Sequence, residues 1–244
     1  MSGATALRAQ ARVETTLSLR RGESLLLTLG IPVGLLVFFS TVDVLPIDAD
    51  DPVAFLAPGV LALAVMSTAM VNLAIATGFE RQYLVLKRLG ATPLGRGRLL
   101  GAKTIAIGLV LAVQVVVLSG VGLLLGWEPD VAGIPLALAG AVLATIAFAG
   151  LGLLMAGTLR GEMTLALANG LYLVLLLLGG MVIPLDELPA AVQAVAELLP
   201  AAALADIMIG ALTSGGEIAA RSWAVLVVWA VATPIAAVRW FRWE

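Results

Sequence analysis

Apolar residues in this chain gather in long blocks, and six of the blocks approach or exceed the roughly 20 residues that a helix needs to cross a bilayer. They predict spans at about residues 25–42, 55–78, 104–126, 133–159, 163–183 and 222–238. Blocks of this length are unlike the roughly ten-residue alternating segments of an outer-membrane barrel. The expected fold is therefore an all-α membrane protein, with six transmembrane helices in one domain covering residues 1–244. Two stretches depart from the block pattern. Residues 1–23 interleave Arg8, Arg12, Arg20 and Arg21 with Leu7, Ala11, Val13, Leu17 and Leu19 and show no cleavage site of a secretory signal. They read as an amphipathic helix at the inner membrane interface, the plainer reading being a basic tail. Residues 184–216 hold apolar pieces of only about a dozen residues, too short to span. Pro184, Pro189 and Pro200 cut them, so interfacial or re-entrant extracellular half-helices are expected between the fifth and sixth spans.

Composition supports the same class, because 61% of the 244 residues are hydrophobic and 12% charged, against roughly 45–50% apolar in soluble domains. A net charge of −2 gives no electrostatic footprint for nucleic acid. The chain has no Cys and no His. That double absence excludes disulfides, Cys or His zinc sites and nucleophilic triads built on His.

The distribution of charge orients the bundle. With six spans, thirteen of the fourteen Lys and Arg residues fall on one side, all but Arg221. The other side collects Asp43, Asp48, Asp50, Asp51, Glu128, Asp130, Asp186, Glu187, Glu197, Asp206 and Glu217. The positive-inside rule then puts the basic side and both termini in the cytoplasm. The acids of residues 43–51 lack calcium-loop spacing and read as a solvated loop.

Six of the basic residues lie within residues 79–103, between the second and third spans: Arg81, Lys87, Arg88, Arg96, Arg98 and Lys103. By composition this is an ordinary cytoplasmic loop, but it has internal order. Residues 79–89 can continue as a helix with Leu84, Leu86 and Leu89 as apolar contacts. Pro93 disfavours helical geometry at Thr92, and a second helix can start after it. A short helix with apolar and basic faces suits docking into a partner's groove. The island glycines do not fit a phosphate-binding loop, so any ATP must be supplied by another chain. No ionisable residue lies at mid-depth in a span, which disfavours proton-coupled transport. The neutral residues Asn72, Gln114, Ser119, Asn169 and Tyr172 either bond between helices or line a substrate path.

Glu80-Arg81, followed by Val85 through Leu94 (VLKRLGATPL), resembles the loop after the second helix of type 2 ATP-binding-cassette (ABC) exporter permeases, the group that includes bacterial drug and antibiotic exporters. Gly179 through Pro189 (GGMVIPLDELP), then Leu198-Leu199-Pro200, is similar to that family's segment after the fifth helix. Gln82 stands where many members have a second acid, and Leu84 where Gly is frequent. The resemblance covers essentially the whole chain. It implies a permease subunit in the bacterial cytoplasmic membrane that pairs with a second, identical or related permease and with two cytoplasmic ATPase subunits carrying ATP and Mg. On that resemblance Glu80, Arg81, Leu86, Lys87, Arg88, Thr92 and Pro93 couple to the ATPase, and Asn72, Gln114, Asn169 and Tyr172 are path candidates. The expected activity is outward movement of a drug, antibiotic, lipid or glycolipid by alternating access, with no catalytic residue on this chain. Two rivals are a membrane enzyme acting on lipid headgroups, for which Glu80 and Glu162 are a thin set, and a non-transporting mechanical subunit of the same fold.

Overall fold

The structure is a computed structural model that describes residues 3–20, 22–42, 52–90, 95–182 and 184–242, with side chains apart from those of residues 3–6, 17–20, 22–28, 52 and 90. The acidic segment 43–51 and the turn at Thr92 and Pro93 lie outside the described residues. Every regular element described is helical. α1 (Gly3–Arg20) and α2 (Gly22–Thr41) lead into α3 (Pro52–Met66), a π-helical turn (Ser67–Asn72) and α4 (Leu73–Gln82), which together make one continuous apolar stretch. The short α5 (Val85–Gly90) precedes α6 (Arg96–Leu124), and α7 (Ile134–Thr158) and α8 (Gly161–Leu178) follow. α9 (Ala190–Ala196) and α10 (Pro200–Leu212) meet at a bend of 88°, and α11 (Ala220–Trp240) ends the bundle.

Among the described residues, five helical stretches are long and apolar enough to cross a membrane: Val53–Gln82, Arg96–Leu124, Val131–Thr158, Gly161–Leu178 and Ala220–Trp240. Leu29–Thr41 is a shorter apolar segment, and the α9–α10 pair counts as a broken span or a re-entrant loop. The proline pattern explains the latter. Pro189 precedes the first residue of α9 and Pro200 is the first residue of α10, so each half-helix starts where a missing N–H costs nothing.

α7 is the centre of the packing, with α11, α4 and α10 against it. Its Gly and Ala residues are the reason. A Cβ on Gly152 would lie 2.6 Å from the Met70 carbonyl oxygen, so only glycine lets α7 approach the π-helical turn this closely. On the α11 side, Thr233 Oγ1 donates to the Ala147 carbonyl at 2.7 Å, an interhelical bond in an apolar setting. α7 also fixes the two ends of the bundle. Near its first residues Asp130 N–H donates to the Leu212 carbonyl, whereas Arg81 reaches its last turn. At 25 residues, α7 sets those ends about 37 Å apart.

Two local differences from the sequence expectation have physical causes. The helix over residues 79–89 is interrupted at Tyr83 and Leu84, because Leu84 adopts φ 61, a left-handed geometry that ends α4 and redirects α5. Leu84 is consequently half exposed, while Leu86 is fully buried and Leu89 partly so. Trp127 follows the apolar run of α6, a place where the sequence pattern puts an interfacial aromatic, yet it is only 4% exposed, folded back against Gly122 of α6.

Candidate functional site

At the end of the bundle bearing the basic island, a second apolar cluster gathers Leu73, Leu86, Leu99, Leu100, Ala149, Leu153, Ala237 and Phe241. Among the described side chains of α5, Leu86 is the one that is fully buried, and it carries α5 into a cluster that α4, α6, α7 and α11 also supply. Lys87 and Arg88, next along α5, are exposed. A six-residue helix is too short to be stable by itself, so this burial holds it in place.

Beside that cluster sits a buried charge. Lys103 of α6 is 2% exposed, and its Nζ donates to Glu80 Oε2 of α4 at 2.6 Å and to Glu14 Oε2 of α1 at 3.1 Å. Gln10 Nε2 donates in turn to Glu14 Oε1 at 2.9 Å. Removing an ammonium from water is costly unless it is paired and hydrogen-bonded, and two carboxylates on two other helices meet that need. The three side chains thus tie α1, α4 and α6 at one point. Glu14 and Lys103 join here although their roles are invisible along the chain, since 89 positions separate them.

Arg81, one residue on from Glu80, points to a different face of α4, toward the end of α7. Its Nη1 donates to the Ala156 carbonyl at 3.1 Å and the Leu159 carbonyl at 3.0 Å. The Ala156 carbonyl belongs to the last turn of α7 and Leu159 is its C-cap, at an end where carbonyls run out of helical partners and where a cation complements the helix dipole. Gln82 packs its side-chain oxygen where a Cβ on Gly161 would lie, 2.2 Å away. A cleft of ≈ 450 Å³ opens beside it, lined by Arg81, Gln82, Leu84, Arg160 and Glu162 among others.

The polar residues within the spans separate into two places. Asn72, Asn169 and Tyr172 converge with Ser67 on a cleft of ≈ 210 Å³ whose remaining walls are Ile31, Pro32, Leu63 and Val71. Ser67 and Asn72 are the first and last residues of the π-helical turn, whose wider coil changes which positions of α3 and α4 reach this cleft. Asn169 Nδ2 donates to the Leu165 carbonyl of its own helix at 2.8 Å. Gln114 does not line that cleft: it is 1% exposed and its Oε1 accepts from Thr68 Oγ1 at 2.9 Å, joining α6 to the π-helical turn. Sequence reasoning missed Ser67 and Thr68, since a lone hydroxyl in an apolar run carries no distinguishing signal.

At the other end of the bundle, Arg221 pairs with Glu197 and the Ala219 N–H donates to Asp206 Oδ2 at 3.1 Å, linking the half-helices to the start of α11. Among the described residues there is no group of three or more acids arranged to hold a metal ion.

No curated protein matches this chain. The model of one family, the ABC-2 type transporter, does match it, over residues 5–213. That range takes in α1, the island, the central α7 and both half-helices. An all-helical apolar bundle, tied by buried charge to a basic end, is thus placed by most of its length: the chain belongs to the ABC-2 type transporter family, as a multi-pass membrane transport subunit of an ABC system.

Proposed function

We propose that this subunit is the permease of an ATP-driven exporter, moving an amphipathic or hydrophobic substrate outward by alternating access. The family implies an ABC ATPase partner. The reading adds a bacterial cytoplasmic membrane, both termini in the cytoplasm, two ATPase subunits that bind ATP and Mg, and a second permease, identical or related. The observation that carries it is the tie of Glu14, Lys103 and Glu80, since a movement imposed on α1 reaches α4 and α6 through paired charges, and one imposed on α5 reaches the same α4 through its packing. α5 would be the docking helix, with Leu86 as its root and Lys87 and Arg88 on its exposed side. Arg81 would pass the same movement to α7. ATP binding can shift the bundle between two shapes only if the ATPase pair binds ATP with different affinity in each.

The cleft at the π-helical turn is the proposed substrate path. Its walls offer apolar surface with a hydroxyl, two amides and a phenol, and no charge. That set suits an amphipathic cargo with a neutral hydrogen-bonding group more than an ion. The lipid-enzyme reading loses support, because Glu80 is engaged by Lys103.

The test is to co-express the chain with the ATPase it co-purifies with and to compare Lys87→Glu with Arg88→Glu in one double variant. ATP hydrolysis stimulated by the permease should fall while membrane insertion stays normal. Undiminished stimulation in the double variant would remove α5 from the coupling role.

A further inference from the structure

α1 and α6 enclose a notch of ≈ 350 Å³ whose two walls differ in chemistry. On α1, Arg8 and Arg12 stand one helical turn apart, followed by Thr15 and Thr16 on the next turn. On α6, Ile105 and Leu109 face them and are 47% and 51% exposed, again one turn apart. Exposed aliphatic side chains on a spanning helix offer a surface that acyl chains can cover.

Among the described residues the arginines have no internal counter-charge. Among the described residues neither guanidinium makes an ion pair or a hydrogen bond. The nearest acid on their own helix, Glu14, is turned away and held by Lys103 and Gln10. The Thr15 and Thr16 hydroxyls donate to the Ala11 and Arg12 carbonyls, each at 2.8 Å, so their protons are used and only their lone pairs face the notch. The notch therefore presents two cations, two weak acceptors and an aliphatic wall.

We propose that this notch is a binding site for an anionic phospholipid. The phosphate lies between the two guanidiniums, whose planar forks match phosphate oxygens. One acyl chain runs along Ile105 and Leu109. A glycerol headgroup suits the threonine oxygens, because its hydroxyls are donors. A zwitterionic headgroup fits less well, since its own ammonium meets two arginines. The site does not depend on which cargo crosses. Because Glu14 lies on the same helix and is fastened to Lys103, a lipid seated here also orders α1 where it joins the tie.

The experiment reconstitutes the full chain in nanodiscs of phosphatidylcholine doped with phosphatidylglycerol and reads the lipids retained on release by native mass spectrometry. The wild type should retain phosphatidylglycerol preferentially. The double variant R8Q/R12Q should lose about thirtyfold of that preference, about fivefold for each cation. R96Q/R239Q, which removes two exposed cations elsewhere, should retain it. Both variants are checked for unchanged elution and thermal unfolding. Preference surviving R8Q/R12Q, or falling equally in R96Q/R239Q, would overturn the site in favour of a diffuse basic face. Release of phosphatidylglycerol by inorganic phosphate alone would also overturn it, as a soluble-anion site. So would loss of ATPase co-purification in R8Q/R12Q with lipid preference intact, which would make the notch a protein interface.

Discussion

At the island end Lys103 is 2% exposed and held between Glu14 and Glu80, whereas at the far end Arg221 is 51% exposed and, among the described residues, meets Glu197 alone. Both are cations paired with glutamate across sequence-distant helices. Their energetic roles are opposite. A solvated pair adds little, because water screens the attraction and holding two flexible side chains costs entropy. A buried cation with two acids adds little net stability either, but removing one member strands the others in a poor dielectric. The buried tie therefore makes the relative position of α1, α4 and α6 a choice between few arrangements, whereas the exposed pair adds little to the apolar packing that already holds α10 against α7. That contrast is what a device moved from one end would need.

The comparison breaks most directly at Lys103. Lys103→Ala should cost about 3–5 kcal/mol, read by denaturant unfolding in detergent with tryptophan fluorescence. A loss below about 1 kcal/mol would mean that water reaches the tie and that the two ends are alike. Arg81→Gln should cost less, about 1.5–3 kcal/mol, since it removes charge-assisted bonds to the Ala156 and Leu159 carbonyls. Leu84→Gly should act in the other direction. With φ 61 and half its surface exposed, Leu84 has strain to lose and little burial, and the variant should gain about 1 kcal/mol. A decrease instead would show that the Leu84 side chain has a contact that outweighs its backbone cost. Arg221→Gln should be the mildest, changing stability by at most about 1 kcal/mol, and its effect should fade in high salt while that of Lys103→Ala persists.

Leu84 also shows where sequence reading stops. A leucine in an apolar and basic run reads as a helical contact, and its positive φ follows from the chain's path between α4 and α5. The frequency of Gly at this position in the resembling loop now has a reason, since glycine alone adopts that geometry without strain. Leu86 was legible as an apolar contact, yet the cluster in which it is fully buried includes Phe241 and Leu153, which lie far along the chain. The polar residues separated in the same way. Asn72, Asn169 and Tyr172 share one cleft, while Gln114 bonds to Thr68 elsewhere, and nothing in their local sequence distinguishes them.

The helical membrane class was legible because apolar block length is a local property, and a bilayer demands that each span satisfy its own backbone. The place of the half-helices was legible too, because proline acts on its own residue and its neighbour. Which glutamate would meet Lys103, which amides would share a cleft and where α1 would leave a notch were decided only by the packing of α7 and α6. Those outcomes depend on distances between helices, and a one-dimensional pattern fixes faces but not neighbours.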